Sequence, residues 1–496
     1  MLLSKIVSQI PYTCTAPDSC KRTEITSLCY NSRSAQRDTL FVCLTGANAD
    51  GHHYAADAYE RGCRAFLCER ELELPGDAIQ MITSDTRKAL ALASAEFFGN
   101  PAKELTVIGV TGTAGKTTVA LLTQQLLLQN GIHAGYIGSN GVQFGGESHH
   151  TANTTPESYE LHRYFRRMRQ SGITTVVLEV SSQALYLSRV HGIPFHICVF
   201  TNLGLDHVDE HEHPTFEHYR DTKRSLFRDY GCRYLVYNGD DAWHDYMLQG
   251  CSAQRKISFG MTEGCDFRAE NWENVVYSGT YGSAFDLVAD GQRNRVRMAF
   301  PGTYNISNSM AAMAVCSCMG IAVQDMLRPM ETAAVAGRFE QVKLLPDAVF
   351  IIDYAHNGIS LQAALETIRS YEPKRVVCLF GSVGGRTQSR RAELGAVAAR
   401  LADVCVLTAD NPNFEPPESV IEDIAAAFAG SACRVVKIPD RAEAVEYVVR
   451  NACPGDAVLL AGKGHEDYQL ICGKKLPFCE RELLLQAADK YLQIQV

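Results

Sequence analysis

The stretch GVTGTAGKTT, Gly109 to Thr118, overlaps the end of an apolar run, LTVIGV (Leu105 to Val110), and leads into an amphipathic segment from about Thr117 to Asn130. A strand handing over to a helix through glycines bends backbone N–H groups around a hollow that suits an anion. Gly112, Thr113, Ala114 and Gly115 form that hollow, Lys116 supplies a point charge for terminal phosphates, and the hydroxyls of Thr117 and Thr118 follow at the helix start. The usual spacing G-x-x-x-x-G-K-[ST] is not met, because Val110 stands at the first glycine position; the shorter form T-G-T-x-G-K-T-T is present instead. Nucleotide binding is the expectation. The loop alone leaves ATPase switches, kinases and ligases open.

Working outward, apolar runs alternate with helix-length segments: TTVVLEV (Thr174 to Val180), CRYLVY (Cys232 to Tyr237), RVVCLF, DVCVLT and DAVLLA. Repeated alternation of this kind implies βαβ units and parallel sheets, so the fold class is α/β. A chain of 496 residues is too long for one core, and domains of roughly 100–200 residues make three the expected number. The first unit covers 1–103 and ends near Gly99, Asn100 and Pro101; the second covers 104–335 and the third 336–496. Within the second, FRAENWENVVYSGTYGSAFDLVADGQRNRVRMAFPG alternates apolar residues with glycine breaks and reads as short antiparallel strands.

Composition narrows the partners. The formal net charge of −9 argues against a general nucleic-acid binder, whose affinity depends on cationic neutralisation of phosphates. The longest mostly apolar stretch, Met310 to Val323, is too short for a bilayer, which needs about 20 residues, and its small residues suit a buried helix. The amino terminus lacks the apolar core of a secretory signal, so a cytoplasmic protein with no membrane partner is expected. The 18 cysteines include no C-x-x-C pair; reduced, mostly buried thiols are the reading.

Two further groups suggest chemistry. Glu179 closes the TTVVLEV run beside the phosphate loop, where an edge carboxylate commonly holds magnesium on a nucleotide. The segment FTNLGLDHVDEHEHPTFEHYRDTKRSLF collects His207, His211, His213 and His218, but with no H-E-x-x-H and no cysteine pair most of these histidines read as surface or capping residues.

The short phosphate loop, T-N-L-x-x-D-H-x-D at Thr201 to Asp209 and Y-x-x-x-K-x-x-L-F at Tyr219 to Phe227 together resemble the Mur ligases, ATP-driven enzymes that join an amine to a carboxylate; folylpolyglutamate synthetases share the loop. The resemblance implies a three-domain architecture, with a central P-loop parallel-sheet ATPase domain and a carboxyl-terminal Rossmann-like domain. It also implies ATP with two Mg²⁺ ions, Thr117, Glu179 and His207 as metal ligands, and a carbamate on Lys223 formed from CO₂. A carbamate turns a cation that repels Mg²⁺ into a hard oxygen ligand. By the same resemblance Asn305 and Asn308 in PGTYNISNSMAA lie near adenine, although asparagine is equally suited to helix capping. Arg338 in AGRFE touches ribose or phosphate, and Asp353 and His356 in IIDYAHN line the closing cleft.

Three segments resemble the tripeptide-forming branch of that family. NSRSAQRDTLFVCLTGANADGHHYAADAYERGC looks like its uridine-nucleotide domain, with Ser32 and Ser34 as contacts and Asn31 where an aspartate is usual. NTTPES and EVSSQALYLSRV resemble the muramyl-dipeptide segments, giving Thr154, Thr155, Ser181 and Arg189. FGSVGGRTQSRRAELG, TADNPNFEPP and AGKGHEDYQLI resemble the amino-acid pocket: Arg386 for the backbone carboxylate, Asp410, Asn411, Asn413 and Gly462, and Glu466 for an amino group. The implied substrates are a UDP-linked muramyl-dipeptide and a diamino acid, and the implied state is a monomer. Members that add meso-diaminopimelate typically read D-N-P-R, whose arginine forks onto the distal carboxylate. Asn413 in fourth place points instead to L-lysine, with ornithine and meso-diaminopimelate as alternatives.

Overall fold

The computed structural model describes residues 1–46, 49–205, 212–277, 279–385 and 388–491. The chain divides into two compact units: Met1–Arg268 with Ser307–Ala322, and Ala269–Ile306 with Val323–Val496. Its architecture is the three-domain α/β arrangement, each domain built on its own parallel-rich sheet.

In the first unit, the amino-terminal sheet runs in the order Thr13–Cys14, Ile79–Ile82, Ala65–Cys68, Thr39–Val42, Ser27–Cys29. Only the edge strand Thr13–Cys14 is antiparallel to its neighbour. The inner strands Ala65–Cys68 and Thr39–Val42 are buried along their whole length, as parallel strands covered on both faces must be. Tyr30 donates its hydroxyl to Glu160 at 3.0 Å, and the rings of Phe98 and Tyr159 meet at 5.4 Å, which joins this sheet to the helix Ser158–Gln170.

The second sheet of that unit has a parallel core ordered Tyr234–Asn238, Phe195–Phe200, Thr106–Thr111, Thr175–Glu179, Ala134–Gly138. The chain leaves Thr106–Thr111 toward one side of the sheet and later returns on the other. The carboxyl end of this strand is therefore a topological switch point, where open α/β sheets bind ligands. The helix Lys116–Gln129 begins there. The helix Thr303–Cys318 buries Met310 to Cys316 completely, as its small apolar residues require.

In the second unit, a six-stranded sheet runs Glu340–Leu345, Ala348–Asp353, Asp456–Ala461, Arg375–Phe380, Val404–Leu407, Arg434–Lys437. All but the first strand are parallel. The segment expected to form short antiparallel strands instead forms long ones, Phe267–Tyr277, Thr280–Ala289 and Gln292–Met298, the first two of 11 and 10 residues. Gly279 and Gly291 lie in the turns and separate strands, while Gly282 sits inside Thr280–Ala289 without ending it. Residues Ala269–Ile306 belong to this second compact unit. Gln341 is one reason: it donates to the carbonyls of Tyr281 and Ala299 at 2.7 and 3.1 Å, while Tyr281 and Tyr371 stack with ring centroids 4.2 Å apart.

All 18 cysteines are free; nine are buried and two exposed. No helix among the described residues is long and apolar enough to cross a membrane.

Candidate functional site

The turn after Thr106–Thr111 needs both of its glycines. Gly112 has φ 151° and a Cβ there would lie 1.9 Å from the Thr201 hydroxyl; Gly115 has φ 84° and a Cβ would lie 2.4 Å from Asn308 Oδ1. Neither position accepts a side chain, and the backbone between them is free to curl. The curl is braced from outside: Ala114 N donates to Asn202 Oδ1 at 2.9 Å, Thr113 N to the Asn202 carbonyl at 2.9 Å, and the Thr201 hydroxyl to the Ala114 carbonyl at 2.6 Å. Lys116 Nζ folds back onto the carbonyls of Gly112 and Thr113 at 2.7 and 2.9 Å.

Glu179 is fully buried at the end of its strand. Its carboxylate accepts from the Thr117 hydroxyl at 3.0 Å, the Tyr136 hydroxyl at 2.5 Å and Ser139 N at 3.0 Å. This puts a hydroxyl and a carboxylate, both hard oxygen donors, together at the start of Lys116–Gln129. Lys223, on the helix Phe216–Arg228, is also buried, and its Nζ donates to the Gly112 carbonyl at 2.9 Å over the ring of Tyr219. His207 lies outside the described residues. Its neighbour in sequence His213, one of the histidines read as surface or capping, is fully buried with its Nδ1 2.8 Å from that of His218. Rings of Tyr186 and Tyr219 pack around it, at 6.2 and 5.3 Å, so burial on an aromatic face sets its place.

Thr154, Thr155, Ser181 and Arg189 gather beside Glu179. The Thr154 hydroxyl is 3.1 Å from that of Ser139, and Thr155 Oγ1 donates to the Glu179 carbonyl at 2.7 Å and accepts from Ser181 N at 3.0 Å. Arg189 is held by Glu157 at 2.8 Å and by the Thr155 carbonyl at 3.0 Å. Ser32 and Ser34 sit on the short turn Ser32–Ser34 of the amino-terminal sheet, Ser32 buried and Ser34 exposed. Asn31 caps that turn by accepting from Arg33 N at 3.1 Å. Asparagine does this as well as the aspartate usual in the family. Asn308 lies under the phosphate loop at Gly115, whereas Asn305 donates to the Pro301 carbonyl at 2.9 Å in the first turn of their shared helix.

The second unit assembles its own group at the carboxyl ends of its strands. Asp353 ends Ala348–Asp353 and accepts from Phe339 N at 2.6 Å; burial pushes its carboxyl up, against the pull of Arg338. The Arg338 guanidinium lies over the Tyr354 ring at 4.7 Å. His356 Nδ1 is 2.9 Å from the Tyr354 carbonyl, so Nδ1 carries the proton and Nε2 the lone pair. Burial lowers its basicity, and it is neutral at physiological pH. Gly462 N donates to the Asp353 carbonyl at 3.0 Å. Asp410 and Asn411 are buried, and Asn411 Nδ2 donates to Glu466 at 3.0 Å. Asn413 takes a left-handed backbone, φ 53°, and its side-chain oxygen accepts from Gly473 N at 2.9 Å. Arg386 lies outside the described residues.

Tyr136, Ser139, Asn202 and Lys463 belong to these groups but were not singled out in the sequence. Asn202 lies in the T-N-L pattern and Lys463 in AGKGHEDYQLI, the one signal available for each; Tyr136 and Ser139 are ordinary residues until folding brings them beside Glu179.

Three family descriptions match the chain: "Mur ligase family, catalytic domain" over residues 24–98, "Mur ligase middle domain" over 110–316, and "Mur ligase, glutamate ligase domain" over 337–464. A UDP-N-acetylmuramoyl-L-alanyl-D-glutamate–2,6-diaminopimelate ligase of Geobacillus kaustophilus is 38% identical, over 94% of this chain and 95% of its own. The chain belongs to the Mur ligase family. The ligase of the same description from Chlorobaculum tepidum is 39% identical over 93% of this Mur ligase and 92% of its own length. A solved structure of a ligase so described superposes with TM-score 0.68 at 27% identity, covering 95% and 96% of the two chains.

Proposed function

We propose that this Mur ligase uses ATP to join the γ-carboxylate of D-glutamate in UDP-N-acetylmuramyl-L-alanyl-D-glutamate to the amine of a diamino acid, extending a peptidoglycan precursor. The observation that carries the reading is the phosphate loop at the switch point, with Lys116, Thr117 and the buried Glu179 converging on its mouth. The substrate identity is supported by the descriptions of the relatives, which cover nearly the whole of this chain.

A carboxylate is a poor acyl donor because its leaving group would be oxide. In the proposed reaction the D-glutamyl carboxylate attacks the γ-phosphorus of ATP, ADP leaves, and an acyl phosphate forms. The loop N–H groups and Lys116 take up the charge that develops on the phosphates. Thr155, Ser181 and Arg189 orient the dipeptide. Mg²⁺, when bound, neutralises charge between the phosphates; Thr117 and Glu179 fit it as hard oxygen donors, and Lys223 fits if it carries a carbamate, with His207 assigned by resemblance. The neutral amine then attacks the acyl carbon, phosphate leaves, and His356 Nε2 takes the amine proton. The acyl phosphate has to be kept from water until the amine attacks.

Asn413 pointed to L-lysine. Its left-handed backbone and its bond to Gly473 N give asparagine a reason to stand there that is independent of the substrate. With the relatives described as 2,6-diaminopimelate ligases, that amino acid comes first and L-lysine second. The test is incubation with ATP, Mg²⁺ and the UDP-linked dipeptide, comparing meso-diaminopimelate, L-lysine and L-ornithine by phosphate release and product mass. Phosphate release with none of the three would refute the reading. A preference for L-lysine would reverse the order of the amino acids and leave the ligation standing.

A further inference from the structure

We propose that Lys463 is the positioning residue of the amino-acid pocket: it aims Glu466 and Asn411 from beneath and never touches substrate. The inference rests on the ligase reading above. Lys463 follows the strand Asp456–Ala461, and its side chain is 0% exposed. A buried ammonium is costly unless its donors are used. Here they are used, on Asn411 Oδ1 at 2.9 Å and Glu466 Oε2 at 2.6 Å, with Asp410 Oδ1 at 3.7 Å. The rings of Tyr468 and Phe478 cover it at 5.3 and 6.0 Å.

The pattern of donors is one-sided. Glu466 Oε2 accepts from both Lys463 and Asn411 Nδ2, while no donor among the described residues bonds Oε1. Asn411 Oδ1 accepts from Lys463 and from Leu470 N at 2.9 Å, which fixes the amide so that its nitrogen faces Glu466. One oxygen of Glu466 is pinned and the other is left for a ligand, and at 16% side-chain exposure the carboxylate is reachable where Lys463 is not. In charge, one ammonium faces two carboxylates, Asp410 and Glu466. The cluster lacks one positive charge, which an ammonium group on the incoming diamino acid supplies. Lys463 thus sets both the direction and the net charge of the pocket, acting through Glu466.

The experiment is a double-mutant cycle on the full chain with Lys463→Met, Glu466→Gln and both together, with Lys463→Gln as a polar replacement. Phosphate release gives kcat and separate KM values for the amino acid and for ATP. Loss of a charged hydrogen bond predicts that K463M raises the amino-acid KM on the order of tenfold to a hundredfold. The KM for ATP stays within about twofold, and K463Q recovers part of the loss. In the E466Q background K463M adds less than about threefold, because its effect runs through the missing carboxylate. Equal losses in kcat and ATP KM, or single effects that simply multiply in the double variant, would overturn the proposal. If K463M does not fold, the same cycle run with K463Q decides between these results. An unmodified protein that turns over no diamino acid would refute the ligase reading first, which separates the two failures.

Discussion

His162 gives a quantitative test of the packing that carries the phosphate-loop unit. It lies on the inward face of Ser158–Gln170, 1% exposed, with its ring edge-on to Phe165 at 5.8 Å, and neither ring nitrogen has a hydrogen-bond partner among the described residues. Burial alone lowers its pKa from 6.5 to about 4. The sign follows from linkage: protonation favours the unfolded chain, so stability is lost as pH falls below the unfolded value and the loss levels off below the folded one. At about pH 5 the unfolded histidine is nearly all charged and the folded one about one-tenth charged, which costs about 2 kcal/mol relative to neutral pH. The perturbation is His162→Leu, which removes two unpaired buried nitrogens and the titration together. At about pH 7.5 the variant gains about 1–3 kcal/mol from the lost polar burial, and at about pH 5 that advantage grows by about 2 kcal/mol. Hydrogen exchange at the amides of Leu161 to Met168, compared with the parent at each pH, reads this locally and cancels the intrinsic pH dependence of exchange. An advantage of equal size at both pH values would refute the reasoning, because it would mean that the folded histidine titrates normally.

Three more outcomes follow from the same geometry. Gly115→Ala forces a side chain onto a left-handed backbone and into Asn308, so nucleotide affinity should fall by at least about tenfold in a fluorescent-nucleotide titration. Arg441 is fully buried against Glu480 and donates to the carbonyls of Ala409 and Ala461 at 3.1 and 2.8 Å. Arg441→Met should cost about 3–5 kcal/mol in thermal unfolding, and adding Glu480→Leu should recover part of it, because an unpaired buried charge dominates the loss. Lys223→Ala should abolish phosphate release, and acetate or formate should restore a measurable fraction if a carbamate is what the wild-type residue carries; no restoration at any concentration would count against the modification.

Much of the fold was legible because parallel sheets leave a continuous apolar trace. LTVIGV, TTVVLEV and DAVLLA each became an inner strand buried along nearly its whole length. The phosphate loop was legible for a related reason: a glycine forced by geometry cannot be disguised by drift in its neighbours. Gly112 and Gly115 are where the backbone and the packing both forbid a side chain. The long strands were not read at their length: Phe267–Tyr277 loses its alternation where its middle, including Asn271 and Asn274, is largely exposed, and Thr280–Ala289 carries an internal glycine, Gly282, in an otherwise mostly buried run. His213 was misjudged because its ring is buried by Tyr186 and Tyr219, and such aromatic cover depends on residues distant in sequence.

The part of the site that stayed hidden shares one physical property. Tyr136 and Ser139 lie outside every sequence motif and Lys463 inside AGKGHEDYQLI, yet all three act the same way, by donating hydrogen bonds to a site carboxylate. Sequence patterns mark residues whose chemistry is unusual, while orientation depends on distance across strands. Glu179 shows the difference. A strand-end glutamate can equally face solvent, and what removes that choice is the Tyr136 hydroxyl and Ser139 N both donating to Oε1, which leaves Oε2 toward Thr117. Tyr136→Phe should therefore leave the fold and the phosphate loop intact and still lower kcat, by on the order of tenfold to a hundredfold, since one lost charge-assisted bond is worth about 1.5–3 kcal/mol. If Tyr136→Phe turns over at the parental rate, Glu179 is oriented by Ser139 and Thr117 alone, and the account of this carboxylate as aimed from behind would have to be given up.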